Sequence, residues 1–163
     1  MMVTGRRTSR RYESCSDPLR LDPVTYRPEH FELFELVGPD VFQARGEGAW
    51  ELLDPRALMT LDALRRVFGP CVVNNWRTGG TFKESGFRGS NTETGARYSQ
   101  HKYGRAFDCK FREATPIDVQ AYVLDHPGDF QYLTTIEDAE ITRTWLHFDV
   151  RLNAVDGVRI VRP

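Results

Sequence analysis

The chain has 163 residues, 40% of them hydrophobic and 28% charged, with a formal net charge of -1. These values exclude a disordered chain and fit one globular domain. They also argue against a protein that grips nucleic acid by bulk charge, and no apolar run is long enough to span a bilayer, so neither nucleic acid nor membrane insertion is expected.

Residues 1–25 are polar, Arg-rich and interrupted by Pro18 and Pro23. They predict a flexible basic arm ahead of a single domain over 26–163. Arg6, Arg7, Arg10 and Arg11 read as a solvated tail. The N-terminal stretch lacks the apolar segment of a secretory signal, so cytoplasmic synthesis is expected, with lysis or a particle as the route to any target outside. Cys15, Cys71 and Cys109 are widely spaced and odd in number, which fits free thiols rather than a disulfide framework or a thiolate metal site.

From Pro28 the pattern changes. Phe31, Phe34 and Val37 form a short helical stripe. Asp54 followed by Pro55 pairs an N-cap side chain with a proline at the first helical position. The stripe Leu58, Leu61, Leu64, Val67 and Phe68 then runs to Gly69-Pro70. Residues 71–76, CVVNNW, read as a strand. Residues 77–103 are rich in Gly, Ser, Thr and Arg and lack periodicity, and a loop of that length in a compact domain points to function. The glycines at 79, 80 and 86 carry no phosphate-loop lysine pattern. A strand follows, then a helix opened by Thr115-Pro116 and running to about His126. Strands are predicted over 131–137 and 145–151, with an edge strand over 157–161. The whole predicts an α+β fold, a small and mainly antiparallel sheet with helices on one face.

Four histidines are present, and two sit in contexts suited to a metal. A hydrolytic zinc site needs about three His, Asp or Glu ligands and an open position. His101 lies just before a strand, and Asp108 lies within it. Side chains alternate along a strand, so Gly104, Ala106 and Asp108 share one face and Phe107, Cys109 and Phe111 the other. Further on, Leu146, Phe148 and Val150 face the core while Trp145, His147 and Asp149 face away. His147 can thus arrive from a second strand to meet His101 and Asp108, with Asp149 behind it to orient it. His126 reads as a helix-end side chain, and His30 has no partner nearby.

The pattern SxHxxGxAxD followed by WxHxD is carried here by Ser99, His101, Gly104, Ala106 and Asp108, then by Trp145, His147 and Asp149. It resembles the zinc D-Ala-D-Ala carboxypeptidases and the related phage L-alanyl-D-glutamate endolysins, and it is similar to the zinc-bearing signalling domain of hedgehog proteins. The resemblance covers roughly residues 50–152. It implies that His101, Asp108 and His147 hold one zinc ion per chain, with the site on the open face of the sheet. It also implies hydrolysis of a peptide bond in peptidoglycan stem peptides.

Such hydrolysis needs a general base and a group that stabilises the oxyanion. The family's cation is an arginine in an SGYR-like segment. Ser85-Gly86-Phe87-Arg88 matches it, which makes Arg88 the candidate, with Arg77 as the alternative. Arg77, Ser99 and Trp145 are expected to contact substrate. Many relatives carry an acid three residues before the second histidine, where this chain has Thr144. Glu137, at the end of a predicted strand, is therefore the expected base, and Glu140 the next choice. Thr144 leaves a second reading open, a catalytically silent zinc-binding module such as a component of a phage particle.

Overall fold

Glu32 opens the first helix, α1 (Leu33–Leu36), where the Glu35 carboxylate accepts the Glu32 amide at 2.9 Å. This reciprocal cap suits a helix of one turn. The computed structural model that shows it describes residues 26–153 and 156–163, so the arm over 1–25 and Cys15 lie outside the described residues. Leu33 and Leu36 carry the burial in α1, with Phe34 only partly covered, so the expected stripe is shifted. A second helix, α2 (Pro39–Arg45), and a 3₁₀ segment over Gly46–Leu52 follow. Neither was expected. Helix α2 buries no residue fully, so it lacks the apolar stripe that periodicity detects.

Helix α3 (Pro55–Phe68) starts as its sequence predicts. The Asp54 carboxylate accepts the Arg56 amide at 3.0 Å, and Ala57, Leu58, Leu61 and Leu64 are buried. The chain then enters β1, which spans only Cys71–Val72 rather than 71–76. Beyond it, the Asn74 amide donates to the Glu35 carbonyl at 2.9 Å, and the Asn74 side chain accepts the Ser85 amide at 3.0 Å. These bonds replace a strand ladder. The remaining elements are β2 (Ala106–Phe111), α4 (Pro116–Asp125), β3 (Thr135–Glu137), β4 (Leu146–Asp149) and β5 (Arg159–Val161). Among the described residues, no helix is long and apolar enough to cross a membrane.

The five strands form one sheet in the order β1-β2-β4-β3-β5, antiparallel throughout except for the parallel pair β3–β5. The fold is therefore mixed helix and sheet with a mostly antiparallel sheet. In the β2–β4 register Phe107 faces Phe148 and Cys109 faces Leu146, all four fully buried in one apolar cluster with residues of α3 and α4. Asp108 faces His147 and Ala106 faces Asp149, on the opposite side by strand alternation. Fully burying a Phe or Leu side chain contributes about 1.5–3 kcal/mol. A one-residue slip would exchange those gains for buried Asp and His, which fixes the register and with it the site.

Candidate metal centre

Three polar side chains converge on one point above the sheet centre. His101 comes from a 3₁₀ turn over Gln100–Tyr103, Asp108 from β2 and His147 from β4, and all three are buried. The 3₁₀ turn ends at Gly104, whose φ of 66° places it in the left-handed region. A Cβ there would lie 1.9 Å from the Leu52 carbonyl oxygen, so only glycine allows the turn to pack so closely.

The facing atoms are His101 Nε2, His147 Nδ1 and Asp108 Oδ1. The two nitrogens are 3.1 Å apart, and the carboxylate oxygen lies 2.8 Å from His147 Nδ1 and 3.3 Å from His101 Nε2. The far side of each ring is engaged elsewhere. His101 Nδ1–H donates to the Gly86 carbonyl at 2.8 Å, so its Nε2 presents a lone pair to the centre. His147 Nε2 lies 3.5 Å from Asp149 Oδ2. Asp149 is fully enclosed and bound by Arg151, whose Nε donates at 2.8 and 2.9 Å. Three electron-rich atoms this close repel one another unless a cation or a proton sits among them. The cluster can therefore hold a metal ion.

In the metal-free protein a proton takes that place. Burial pulls the His147 pKa down, but Asp108, Asp149 and Glu137 more than offset it and push it up to about 9. Burial opposes the ionised form of Asp108, yet the two histidines that face it hold it well below the usual carboxylate range. Burial lowers the pKa of His101. The folded pKa of His147 thus lies above its ordinary 6.5, so the stabilisation from its proton is complete below pH 6.5 and is lost as pH rises through 9. Chelator-treated protein should accordingly lose on the order of 3 kcal/mol over that range. Urea unfolding at a series of pH values measures this, and a flat stability profile would refute it.

The segment before His101 is stitched to this centre. The Asp108 amide donates to the Ser85 carbonyl at 2.8 Å, the Phe87 amide to Leu36 at 2.8 Å and the Arg88 amide to His101 at 3.2 Å. Lys110 Nζ donates to the Ser85 hydroxyl at 2.9 Å. Gly86 lies so close to Leu36 that a Cβ would fall 2.1 Å from its carbonyl oxygen.

A cavity of about 530 Å³ opens over the cluster, and Arg88, Ser99, Glu137, Trp145 and Arg151 are among the residues lining it. By extension of the β3–β4 register, Glu137 stands opposite His147, and its Oε1 lies 4.0 Å from His147 Nδ1. Burial raises the Glu137 pKa, against the pull of His147. Ser99 and Trp145 thus line the cavity over the cluster. Arg77 does not, because its guanidinium rests on the rings of Phe34 and Phe42 at 4.6 and 5.4 Å. Glu140 is also absent, since the chain turns away after Glu137. Its amide donates to Asp138 Oδ1 at 3.1 Å, and its side chain is exposed. His126 packs on Tyr122 at 4.1 Å between ring centroids, away from the cluster.

Arg151 was missed in the sequence, although it lies two residues beyond Asp149 and the spacing that selected His147 and Asp149 extends to it. Gly86 belongs to the Ser85-Gly86-Phe87-Arg88 segment that singles out Arg88, but nothing in its neighbours announces that its own carbonyl would hold His101. A larger cleft of about 610 Å³, lined by residues such as Arg45, Phe87, Arg97 and Tyr103, contains none of the clustered ligands.

No protein-family model matches the chain, and neither does any curated protein or solved structure.

Proposed function

We propose that the chain is a zinc metallopeptidase that hydrolyses a peptide bond in peptidoglycan stem peptides. One observation carries this reading: a partly buried carboxylate, Glu137, stands beside the His101–Asp108–His147 cluster inside a cavity large enough for a peptide segment. A purely structural site would be closed by a fourth protein ligand.

Two imidazoles and one carboxylate form a donor set suited to zinc. Donors about 2.0–2.1 Å from a tetrahedral ion stand about 3.3 Å apart. The facing atoms here are 2.8, 3.1 and 3.3 Å apart, so a small spreading of the ligands seats the ion. When bound, zinc supplies Lewis-acid polarisation of the scissile carbonyl and acidifies water. The chain's own residues do the rest. Glu137 receives the proton of the attacking water at Oε1 and returns it to the leaving amine, a role its position beside the cluster allows. Gly86 fixes the tautomer of His101, and Asp149 with Arg151 fixes the ring of His147. Ser99 and Trp145 contact the peptide on the cavity wall. The motif resemblance supports the substrate class. The alternative, a silent module, draws on Thr144, whose exposed side chain takes no part in the cavity.

Digestion of purified muropeptides by the zinc-loaded protein, read by mass spectrometry, tests the proposal. A defined mass loss would name the bond cut. Intact substrate with one zinc per chain would reject the peptidase in favour of the silent module.

A further inference from the structure

Arg88 has more to do in this fold than face a substrate. Two of the three nitrogens of its guanidinium are hydrogen-bonded within the fold. Nε donates to the Glu84 carbonyl at 2.6 Å and one terminal nitrogen donates to Asp108 Oδ2 at 3.0 Å. The other terminal nitrogen lies beneath Gly95, where a Cβ would fall 2.6 Å from it. Only 11% of the Arg88 side chain is exposed. Gly95 has a φ of 80°, which favours glycine, and the loop bearing it is tied back to Glu84. The hydroxyls of Thr92 and Thr94 both donate to the Glu84 carboxylate, the latter at 2.6 Å. Those bonds hold the Glu84 pKa below its ordinary value, so the carboxylate that anchors the loop stays charged.

The consequence falls on Asp108. Its Oδ1 faces both histidines, while its Oδ2 is occupied by Arg88. We infer that Arg88, locked by Glu84 and the Thr92–Gly95 loop, is a positioning residue that restricts Asp108 to a single ligating oxygen and so keeps the bound ion at low coordination number. The inference rests on the metal-site part of the function proposed above, not on the substrate. It also sets this site against larger oxygen-seeking cations, which need six to eight oxygen ligands and often take a carboxylate through both oxygens.

Simple electrostatics predicts the opposite outcome on removal of Arg88. A cation beside a dication repels it, so deleting the guanidinium would tighten metal binding if charge alone mattered. A clamp predicts weakening, because lost outer partners of a ligand typically cost 10–100-fold in metal affinity. The experiment compares zinc affinity of the full chain and of Arg88→Met by competition with a chromophoric chelator. It also records the visible spectrum of the cobalt-loaded forms, which is intense for four-coordinate and weak for higher-coordinate Co2+. The expected result for Arg88→Met is a 10–100-fold loss of zinc affinity and a weakened cobalt spectrum. Arg88→Lys keeps the charge but not the fork, and should recover only part of both.

The double variant Thr92→Val/Thr94→Val touches neither the ion nor Asp108, and should shift both readouts in the same direction by less. It decides the question should Arg88→Met fail to fold. Unchanged or tighter zinc binding with an unchanged cobalt spectrum, in whichever of these variants folds, overturns the clamp. A parent chain that binds no zinc overturns the metal reading as well, whereas a zinc-loaded chain inert on muropeptides leaves the clamp standing and removes only the peptidase.

Discussion

Exchange of His147 for alanine is expected to yield a chain that carries no zinc and cuts no muropeptide. One of three ligands disappears, and two facing donors alone do not retain the ion at the affinity of the parent site. A second effect accompanies the first. In the metal-free protein the protonated His147 is the cation set between Asp108 and Asp149, both buried. Removing it leaves those carboxylates with Arg88 and Arg151 alone to balance them. Breaking a buried charge pair by deleting one partner costs about 3–5 kcal/mol. The variant should therefore unfold at lower denaturant than chelator-treated parent protein at pH 7. Metal analysis and paired unfolding curves check the two effects separately. A variant that still binds one zinc per chain would remove His147 from the ligand set.

The second large effect concerns Glu137. Replacement by glutamine keeps the shape of the side chain and removes its ability to take a proton. Zinc content should be unchanged, because Glu137 is a neighbour of the cluster rather than a member of it. Turnover should fall by about 10²–10⁴, the usual contribution of a positioned general base. The pH profile offers an independent check. With Glu137 as the base, the zinc-loaded parent should show an acidic limb, set by burial that raises the carboxyl pKa and by the bound cation that lowers it, and Glu137→Gln should lack that limb. Below that limb the carboxyl is protonated and cannot accept. If Glu137→Gln turns over at the parent rate, the base is another group, and the reading of Thr144 as a vacancy filled from β3 fails with it.

Much of this site can be read from residue order because strand alternation is a strict rule. Phe107, Cys109 and Phe148 are apolar at every second position, and that alone turns Asp108 and His147 to the opposite face. The pairing of the two strands in the register Asp108↔His147 completes the cluster. Helix α3 is legible for a similar reason, since Asp54, Pro55 and the leucine stripe all point to the same element. Helix α2 is not, because partial burial leaves no periodic trace. Arg77 illustrates a different gap. Its place is decided by Phe34 and Phe42, which belong to separate helices and offer their ring faces. No spacing rule brings those three residues together. Glu137 and Glu140 are likewise indistinguishable as letters, and the point at which β3 ends separates them.

The sheet also has ends, and their construction decides how readily a second copy could add to them. One edge strand, β1, is two residues long, and the other, β5, is three. The longer edge begins with Arg159 and runs into Arg162, beyond which Pro163 offers no donor. Short, charged borders of this kind give a second copy little to hydrogen-bond against. Addition of a second copy's strand to either edge, a first step towards fibrils, is thereby disfavoured, and at the β5 end Arg162 and Pro163 also line one side of the cavity.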